Sequence, residues 1–437
     1  MSRSKIRLSQ CMIVKDEEKN IRKALSWGKS IVDEQIVVDT GSADQTADIA
    51  KEMGAKVFSY SWDDDFSAAK NYALQQAKGD WIAFLDADEW ISEQDVKKIL
   101  PLLKKIHRQD RYNVIQVQIA NLDKEGNVTT VAPQWRFFRN DPHIRYQNRI
   151  HEELYDEKNG NLNSYNAGQE VMILHTGYAE DEALRKRKGQ RNVRILLKQL
   201  EEKPEDRRTL MYLGDAYTMA GEQKEAECCY EKVLWDTETA GLDKTVILRA
   251  GLQLLNSMIA SQKKESEEKL SRICSYLRKM DLDDHPDVDF LEGMQKRRSG
   301  DVQGASRLFE RALSKMDNYK GAEMMRITAG LRLVCSTIAQ AALENQEEQK
   351  AVQYATAALR IDKYSADALN VLLNAFLTEW KEGMSIDPYW NFLCKIYEKN
   401  RTEDLQFLCK AAKESGFQRL EEHVLALLSQ NDKETDR

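Results

Sequence analysis

The sequence predicts a chain of two parts: an α/β domain with a mostly parallel sheet over residues 1–185, and an all-α domain of helical repeats over residues 186–437. In the first part, short β-forming runs alternate with segments of helical periodicity, which is typical of a parallel sheet covered by helices on both faces. In the second part, helix-forming Leu, Ala, Lys, Glu and Gln dominate and only three prolines occur, as expected of packed helices.

The elements of the first part follow in a regular order. Strands are predicted at residues 8–14, 35–39, 56–60, 81–85 and 114–120. Helices are predicted between the first four strands and after Ser92, because helix-capping residue types precede a helical face at these places. Ligands of such sheets bind beyond the carboxyl ends of the strands. Residues at those ends are therefore the candidates for function.

The second part contains an internal repeat. The pattern Gly214, Gly221, Ala226 and Tyr230 recurs at identical offsets as Gly293, Gly300, Ala305 and Phe309. Small residues let two helices of a hairpin approach closely, and the aromatic residue is expected to pack against the neighbouring hairpin, as in tetratricopeptide repeats. The copies are 79 residues apart, more than the roughly 68 of two ideal repeats. We therefore expect an irregular helical pair between them; a nonrepetitive bundle is the alternative.

Length and composition limit the class of protein. A chain of 437 residues has room for two or three domains. The net charge of -7 argues against nucleic acid as a main partner, because proteins that bind polyanions carry basic surfaces. No apolar run approaches the roughly 18 to 20 residues of a membrane span. The N-terminal residues do not read as a signal peptide, so we expect a cytoplasmic protein. Its seven cysteines are expected to be reduced, mostly structural thiols.

An apolar strand runs directly into Asp86 and Asp88. Side chains two residues apart on an extended chain point the same way, so these carboxylates are expected to converge at the carboxyl edge of the sheet. Hard divalent ions such as Mg2+ and Mn2+ take oxygen ligands and bridge to phosphate oxygens. The motif therefore predicts a metal-diphosphate site, with a solvated acidic turn as the alternative.

Two further carboxylates stand at element boundaries. Asp39 ends the second strand, where it can accept hydrogen bonds from a sugar hydroxyl or a base, as suits a nucleoside. Ser42 and Asp44 are expected to cap the next helix. Asp65 precedes another helix, and taken alone it is most simply a cap. Glycine-rich motifs for dinucleotides and the P-loop are absent from these turns.

Together these segments resemble the family 2 glycosyltransferases of the GT-A fold, followed by tetratricopeptide-like repeats. The matching stretches lie within about the first 90 residues, at 11–18, 37–42, 65–71, 79–81 and 86–88. Residues 150–154 and 174–178 are similar to the sublancin-type peptide glycosyltransferases, which modify Ser or Cys of bacteriocin peptides. Two positions depart from the family: Asp16 stands where Asn is frequent, and Lys70 where Arg is frequent. Because of both departures, the resemblance does not specify which nucleotide is bound.

The resemblance implies roles at matching positions. Asp39 and Asp65 are expected to contact the uridine, and Asp86 and Asp88 to hold Mn2+ or Mg2+ on the donor diphosphate, Asp88 more directly. The remaining nucleotide-sugar contacts are expected at Val14, Asp16, Glu18, Ser42, Lys70 and Ala87. Family 2 enzymes are inverting and need one base, for which Glu152 is preferred over Glu153, with His151 beside them. His175 is a candidate for completing the metal sphere; a structural role is the alternative for both histidines.

The expected function is metal-dependent, inverting transfer of a hexose from a UDP-sugar, UDP-glucose being favoured, to Ser, Thr or Cys of a peptide or protein, as in bacteriocin biosynthesis. Helical repeats have concave faces suited to extended peptides or to further copies of the chain. The second part is therefore expected to bind the acceptor or to form a homodimer. The alternatives are transfer to a cell-envelope glycan or lipid-linked acceptor, and a noncatalytic scaffold.

Overall fold

A computed structural model of the chain describes residues 5–176, 182–235, 243–261, 266–321 and 325–435. The chain divides into two compact units, residues 1–229 and 230–437. Residues 177 and 178 of the later matching stretch lie outside the described residues. The domain boundary after residue 185 stays a prediction. Among the described helices, none is long and apolar enough to cross a membrane.

The first unit contains a large mixed sheet. Its strands are β1 (Leu8–Val14), β2 (Glu34–Asp39), β3 (Lys56–Ser59), β4 (Trp81–Phe84), β5 (Glu89–Ile91), β6 (Val114–Leu122), β7 (Val128–Arg139), β8 (Ile144–Gln147), β9 (Glu153–Asp156), β10 (Ser164–Asn166) and β11 (Met172–His175). Nine strands form one sheet in the order β3-β2-β1-β4-β7-β6-β11-β5, with β10 beside β6, while β8 and β9 form a separate hairpin. All five predicted strands are present, to within two residues at each end.

Strands β1 to β4 are parallel, whereas β7 runs antiparallel to both β4 and β6. The carboxyl ends of β1, β2 and β4 therefore meet at one edge of the sheet. Every residue of β4 is buried, because a strand in the middle of a sheet with helices on both faces is covered on both sides. Burying large apolar side chains of this kind stabilises the fold by about 1.5–3 kcal/mol each. The rigid sheet thus fixes the positions of the loops at that edge.

The helices of the first unit cover this sheet and continue beyond it. They are α1 (Ile21–Ser26), α2 (Thr46–Glu52), α3 (Phe66–Gln76), α4 (Glu93–His107), α5 (Glu182–Glu202) and α6 (Arg207–Ala220), and α7 (Gln223–Trp235) spans the division between the units. Ser92 caps α4 as predicted, accepting a hydrogen bond from Asp95 N. The prediction that Ser42 caps α2 is wrong: Ser42 bonds to Asp39 instead, whereas Asp44 accepts from Thr46 N at the start of that helix.

The second unit is entirely helical in its described residues. Its helices are α8 (Lys244–Ser261), α9 (Ser266–Lys279), α10 (Pro286–Arg298), α11 (Val302–Met316), α12 (Ile327–Glu344), α13 (Glu348–Ile361), α14 (Ala366–Glu379), α15 (Asp387–Leu393), α16 (Thr402–Ser415) and α17 (Gln418–Thr435). The predicted fold class, an α/β domain followed by tetratricopeptide-like helices, is confirmed. So is the irregular pair between the two best repeats, which is formed by α8 and α9.

The repeat positions have the predicted local roles. Gly221 and Gly300 follow helices with φ of 84° and 86°, the left-handed conformation that glycine adopts without strain at a helix end. A Cβ on Gly293 would lie 2.6 Å from the ring of Phe309. The two helices of the α10–α11 hairpin therefore approach closely because Gly293 has no side chain. Phe309 packs on Gly293 of its own hairpin, and the expectation that it also packs against the neighbouring hairpin stays a prediction.

Candidate functional site

Two loops at the carboxyl edge of the sheet are joined by hydrogen bonds. The backbone N–H of Asp16, after β1, donates to Ser42 Oγ over 3.0 Å. In return Ala43 N–H donates to the Asp16 carboxylate over 2.7 Å. Asp16 has a φ of 56°, in the left-handed region that Asp tolerates better than most residues. The loops that follow β1 and β2 therefore form one continuous floor.

Asp39 lies at the end of β2 and organises the turn that follows. Its Oδ1 accepts from Ser42 Oγ over 2.5 Å, and the N–H of Ser42 lies 3.2 Å from Oδ1 and 3.3 Å from Oδ2. A carboxylate oxygen accepts more than one hydrogen bond. The half-buried Oδ2 therefore keeps acceptor capacity for a ligand N–H or hydroxyl.

The acidic motif after β4 forms a turn. The strand ends at Phe84, and Glu89 N–H donates to the Asp86 carbonyl over 3.1 Å. The extended-chain argument for Asp86 and Asp88 is therefore wrong in its geometry, because the chain has already bent. Their carboxylates have different partners: Asp86 contacts Arg136, and Asp88 contacts His175.

The His175 ring faces Asp88, as β11 pairs with both β5 and β6. His175 Nδ1 lies 2.7 Å from Asn121 Oδ1; an amide oxygen only accepts, so this nitrogen carries a proton. Nε2 lies 3.1 Å from Asp88 Oδ2. Burial opposes the charged ring, but the hydrogen bond and the charge of Asp88 outweigh it and raise the pKa of His175 above its ordinary value.

Asp88 and His175 together can hold part of a divalent ion's coordination sphere. A carboxylate oxygen and an imidazole nitrogen are donors that Mn2+ accepts, whereas Mg2+ prefers oxygen. Within the described stretches of the chain, no group of three or more His, Cys, Asp or Glu side chains forms a preformed metal cage. The donor set therefore fits an ion that takes its other ligands from a diphosphate and water. Asp86 is engaged by Arg136.

Arg136 is a site residue whose contact with the acidic motif was not predicted. Its guanidinium donates to Asp86 Oδ2 over 3.0 Å and also bonds to the buried carboxylate of Glu89. The register of β6 against β7 shifts between Ile115 and Gln116, so Arg136 is the extra residue of a β-bulge, a feature that re-aims side chains next to active sites. Burial opposes its charge, but Glu89 and Asp86 raise the pKa of Arg136 above its ordinary value.

A cleft of about 730 Å³ lies beside this ion-paired group. Its lining comes from α3, from β6 and β7, and from the β8–β9 hairpin and its flanks. The residues are Lys70, Gln116, Pro133, Gln134, Trp135, Arg136, Tyr146, Gln147, Glu152, Glu153, Leu154, Tyr155, Gly160, Asn161 and Leu162. Lys70 Nζ and Glu152 Oε1 are 2.5 Å apart, and their side chains are only 7% and 14% exposed. The cleft thus contains a shielded carboxylate with one cationic partner.

Helix α3 holds the segment that carries Glu152. Asn71 donates to the Tyr146 carbonyl over 2.8 Å and accepts from its N–H over 2.9 Å. Ser67 Oγ donates to the Asn148 carbonyl over 2.5 Å. Asp65 caps this helix, accepting from Ala68 N–H over 2.8 Å. The cap interpretation of Asp65 is therefore confirmed, and its uridine contact stays a prediction.

The other predicted residues occupy different surroundings. His151 stacks on Tyr212 with ring centroids 3.9 Å apart and is not among the residues that line the cleft. Glu153 lines the cleft and pairs with Arg208 over 3.1 Å. Val14 and Ala87 are buried beside the two loops, and Glu18 accepts from Gln45 N–H over 3.3 Å. The roles proposed for these residues stay predictions.

Comparison with known proteins gives one family match and several partial relatives. Residues 9–173 match the family described as Glycosyl transferase family 2. A TPR repeat-containing protein of Synechococcus elongatus is 34% identical over 229 residues, 50% of this chain and 54% of that protein. The SPbeta prophage-derived glycosyltransferase SunS of Bacillus subtilis is 29% identical over 217 residues, 49% of this chain and 50% of that protein. The chain thus spans about half the length of these relatives.

Solved structures show weaker likeness. S. aureus TarS 1-349 in complex with UDP-GlcNAc is 13% identical, with a TM-score of 0.34 over 74% of this chain and 95% of that one. Glucosyl-3-phosphoglycerate synthase of Mycobacterium tuberculosis, in complex with Mn2+, UDP and glucosyl-3-phosphoglycerate, is 21% identical, with a TM-score of 0.22 over 27% of this chain and 44% of that one.

Proposed function

Because residues 9–173 match the family described as Glycosyl transferase family 2, we propose that this protein transfers a hexose from a UDP-sugar to Ser, Thr or Cys of a peptide, with inversion and with the help of a divalent ion. One arrangement carries the proposal. Asp39 and the turn of Asp86 and Asp88 lie at the same edge of the sheet, and Arg136 connects that turn to the cleft containing Glu152. UDP-glucose is the favoured donor.

The donor is held by the two joined loops and by the acidic turn. Asp39 Oδ2 accepts from the uridine base or ribose. Asp88 and His175 would hold Mn2+, which fits this donor pair better than Mg2+, and the ion would supply positive charge against the leaving diphosphate. Arg136 adds a fixed cation beside Asp86, where it offsets negative charge that develops during the reaction.

Glu152 is the general base. The acceptor oxygen or sulfur attacks the anomeric carbon, its proton passes to Glu152, and the bond between that carbon and the diphosphate breaks as UDP leaves with the electron pair. Attack from the face opposite the diphosphate inverts the anomeric carbon. Lys70 keeps Glu152 in place before the reaction. A thiol acceptor needs less help from the base, since the free Cys pKa is about 8.5.

The first test is UDP release by the purified chain from UDP-glucose, UDP-galactose, UDP-GlcNAc and UDP-GalNAc, with Mn2+, with Mg2+ and with EDTA. We expect metal-dependent release from one donor, falling at least about 100-fold in Asp88→Asn. Asp48→Asn is the control, because Asp48 is 84% exposed on α2. No release from any donor, together with no metal-dependent UDP binding, supports a noncatalytic scaffold.

A second test identifies the base and the acceptor. With a peptide that stimulates turnover, Glu152→Gln is expected to lower kcat by about 100-fold or more, whereas Glu153→Gln, the adjacent residue in the same cleft, has a smaller effect. The reverse order assigns the base to Glu153. Turnover stimulated by a glycolipid and by no peptide favours a cell-envelope or lipid-linked acceptor.

A further inference from the structure

Strand β7 has a long free edge. Only its last three residues, 137–139, pair with β4. The segment 128–135 pairs with β6 on one side, apart from Thr129 at a register shift, and among the described residues no strand lies on its other side. At about 3.3 Å per residue, this edge offers roughly 25 Å of backbone to a further strand.

The free edge has little of the protection that sheet edges have in soluble proteins. Such edges are blunted by charged side chains, by proline or by a covering element. Residues 128–135 contain no charged residue, in a chain of which 31% is charged. Pro133 and the register shift at Thr129 are the blunting features of this segment. Val128 and Val131 are 55% and 48% exposed. An uncharged edge of this length with exposed apolar side chains is typical of a surface that another strand covers.

The edge leads into the cleft that contains the proposed base. Gln134 and Trp135 belong to the free segment, and both also line the cleft with Glu152. The β-bulge at Arg136 ends the free segment where the ion pair with Asp86 begins. A strand paired along this edge therefore has one end beside the groups proposed for the chemistry.

We propose that the acceptor polypeptide binds as an added β-strand along residues 128–135, with its modified Ser, Thr or Cys at the Trp135 end. Backbone hydrogen bonds then supply affinity with little sequence preference, and the cleft selects the side chain. This inference rests on the proposed peptide acceptor and assigns that peptide a binding surface. A second copy of the chain is the competing occupant. The acceptor is favoured because the edge continues into the cleft.

The sharpest test uses the backbone of the peptide. A library of synthetic 12-residue peptides with one central Ser, Thr or Cys is screened for sugar transfer, and the best peptide is remade with a single N-methylated peptide bond at each position in turn. In an added strand only every second N–H faces the partner strand. We expect KM to rise roughly three- to tenfold at alternate positions. A flat or aperiodic response overturns the inference.

A second test changes the edge itself. Val131→Lys is expected to raise the peptide KM at least about fivefold with a smaller change in kcat, whereas Leu197→Lys, at a similarly exposed position on α5, leaves both unchanged. Equal unfolding midpoints of both variants show that the fold is intact. If Val131→Lys instead converts a dimer to a monomer in sedimentation and leaves KM unchanged, a second copy occupies the edge and the inference is wrong.

Failure of the inference is distinguishable from failure of the proposed function. UDP-sugar hydrolysis without transfer to any peptide of the library contradicts the peptide acceptor, and the strand proposal falls with it. Transfer to a peptide with no alternation of KM contradicts the strand proposal alone, and the glycosyltransferase assignment remains.

Discussion

At the scale of single residues, the candidate site consists of charged groups that already have partners. Arg136 pairs with Asp86 and Glu89, Lys70 pairs with Glu152, and Asp88 contacts His175. Burial raises the pKa of Glu89, and Asp86 adds to that effect while Arg136 opposes it. A buried carboxylate needs a cation or hydrogen-bond donors to stay charged. Arg136 therefore stabilises the domain as well as preparing the site.

The double role of Arg136 gives a measurable prediction. Arg136→Gln leaves the buried Glu89 and the partly exposed Asp86 without their cation. Removing one partner of a buried ion pair, here that of Arg136 with Glu89, costs about 3–5 kcal/mol. We expect the free energy of unfolding in urea to fall by an amount of this order and donor turnover to fall with it. Arg22→Gln is the control, because Arg22 pairs with Glu52 at an exposed position. Equal stability losses in the two variants contradict the proposed role.

At the scale of elements, sequence patterns predicted the helices and strands more successfully than they predicted which side chains contact each other. The strands were predictable because their apolar runs reflect burial on both faces. The cap at Ser92 was predictable because its hydrogen bond joins residues that are close in sequence. The ion pair of Asp86 with Arg136 joins residues 50 positions apart, and the β-bulge at Arg136 depends on the pairing of β7 with β6. No local pattern contains either contact. The contact between His175 and Asp88 likewise requires β11 to pair with β5. The candidate residues were therefore identifiable from the sequence, whereas the pairing of the strands determines most of their contacts.

Asp64 is one of several groups that contact helix α5, beside the pair of Arg149 with Glu202 and the buried cluster containing Ile195. Asp64 accepts hydrogen bonds from Arg194 and Lys198, one turn apart on α5. The Arg194 guanidinium, more than any other group, holds the pKa of Asp64 well below its ordinary value. A carboxyl whose pKa is lowered in the folded state contributes stability above its unfolded pKa of about 3.9, and this contribution is lost as pH falls below that value.

The attachment is tested with Asp64→Asn. Asp64 has a φ of 64°, which Asn also tolerates, so the substitution removes charge with little backbone strain. We expect a loss of about 1 kcal/mol at pH 7, modest because both cations are partly exposed. Urea unfolding at pH 7 and at pH 3 is the measurement, and the difference from wild type shrinks at the lower pH. A difference independent of pH contradicts the electrostatic explanation.

The close approach of α10 and α11 gives a prediction for the repeats. Gly293→Ala places a Cβ against the Phe309 ring, and such overpacking costs about 1–3 kcal/mol. Gly251→Ala in α8 is the matched control, because its Cβ would meet the more flexible Leu277 side chain at 3.0 Å. Both variants gain helix propensity. Chemical unfolding should show Gly293→Ala to be the less stable of the two; the opposite order contradicts this packing.

At the scale of the whole molecule, each compact unit has buried clusters of its own. All residues proposed to bind the donor belong to residues 1–229. A ligand that binds only the folded state stabilises the part that binds it. The homodimer, the cytoplasmic location and a role in bacteriocin biosynthesis stay predictions, because they depend on partners and surroundings beyond these two units.

The separate cores predict that donor binding stabilises the first unit selectively. UDP with Mn2+ at 100 times its dissociation constant adds about 2.7 kcal/mol to the free energy of unfolding. For a unit of this size this corresponds to a rise of roughly 5–10 °C in the midpoint temperature. Scanning calorimetry is expected to show two unfolding transitions. Asp64→Asn lowers the midpoint temperature of one, and Gly293→Ala lowers the midpoint temperature of the other. UDP with Mn2+ should raise only the transition that Asp64→Asn lowers, since the proposed ligands all lie in that unit. If UDP with Mn2+ raises only the midpoint that Gly293→Ala lowers, the nucleotide binds outside the α/β domain and the proposed site is wrong.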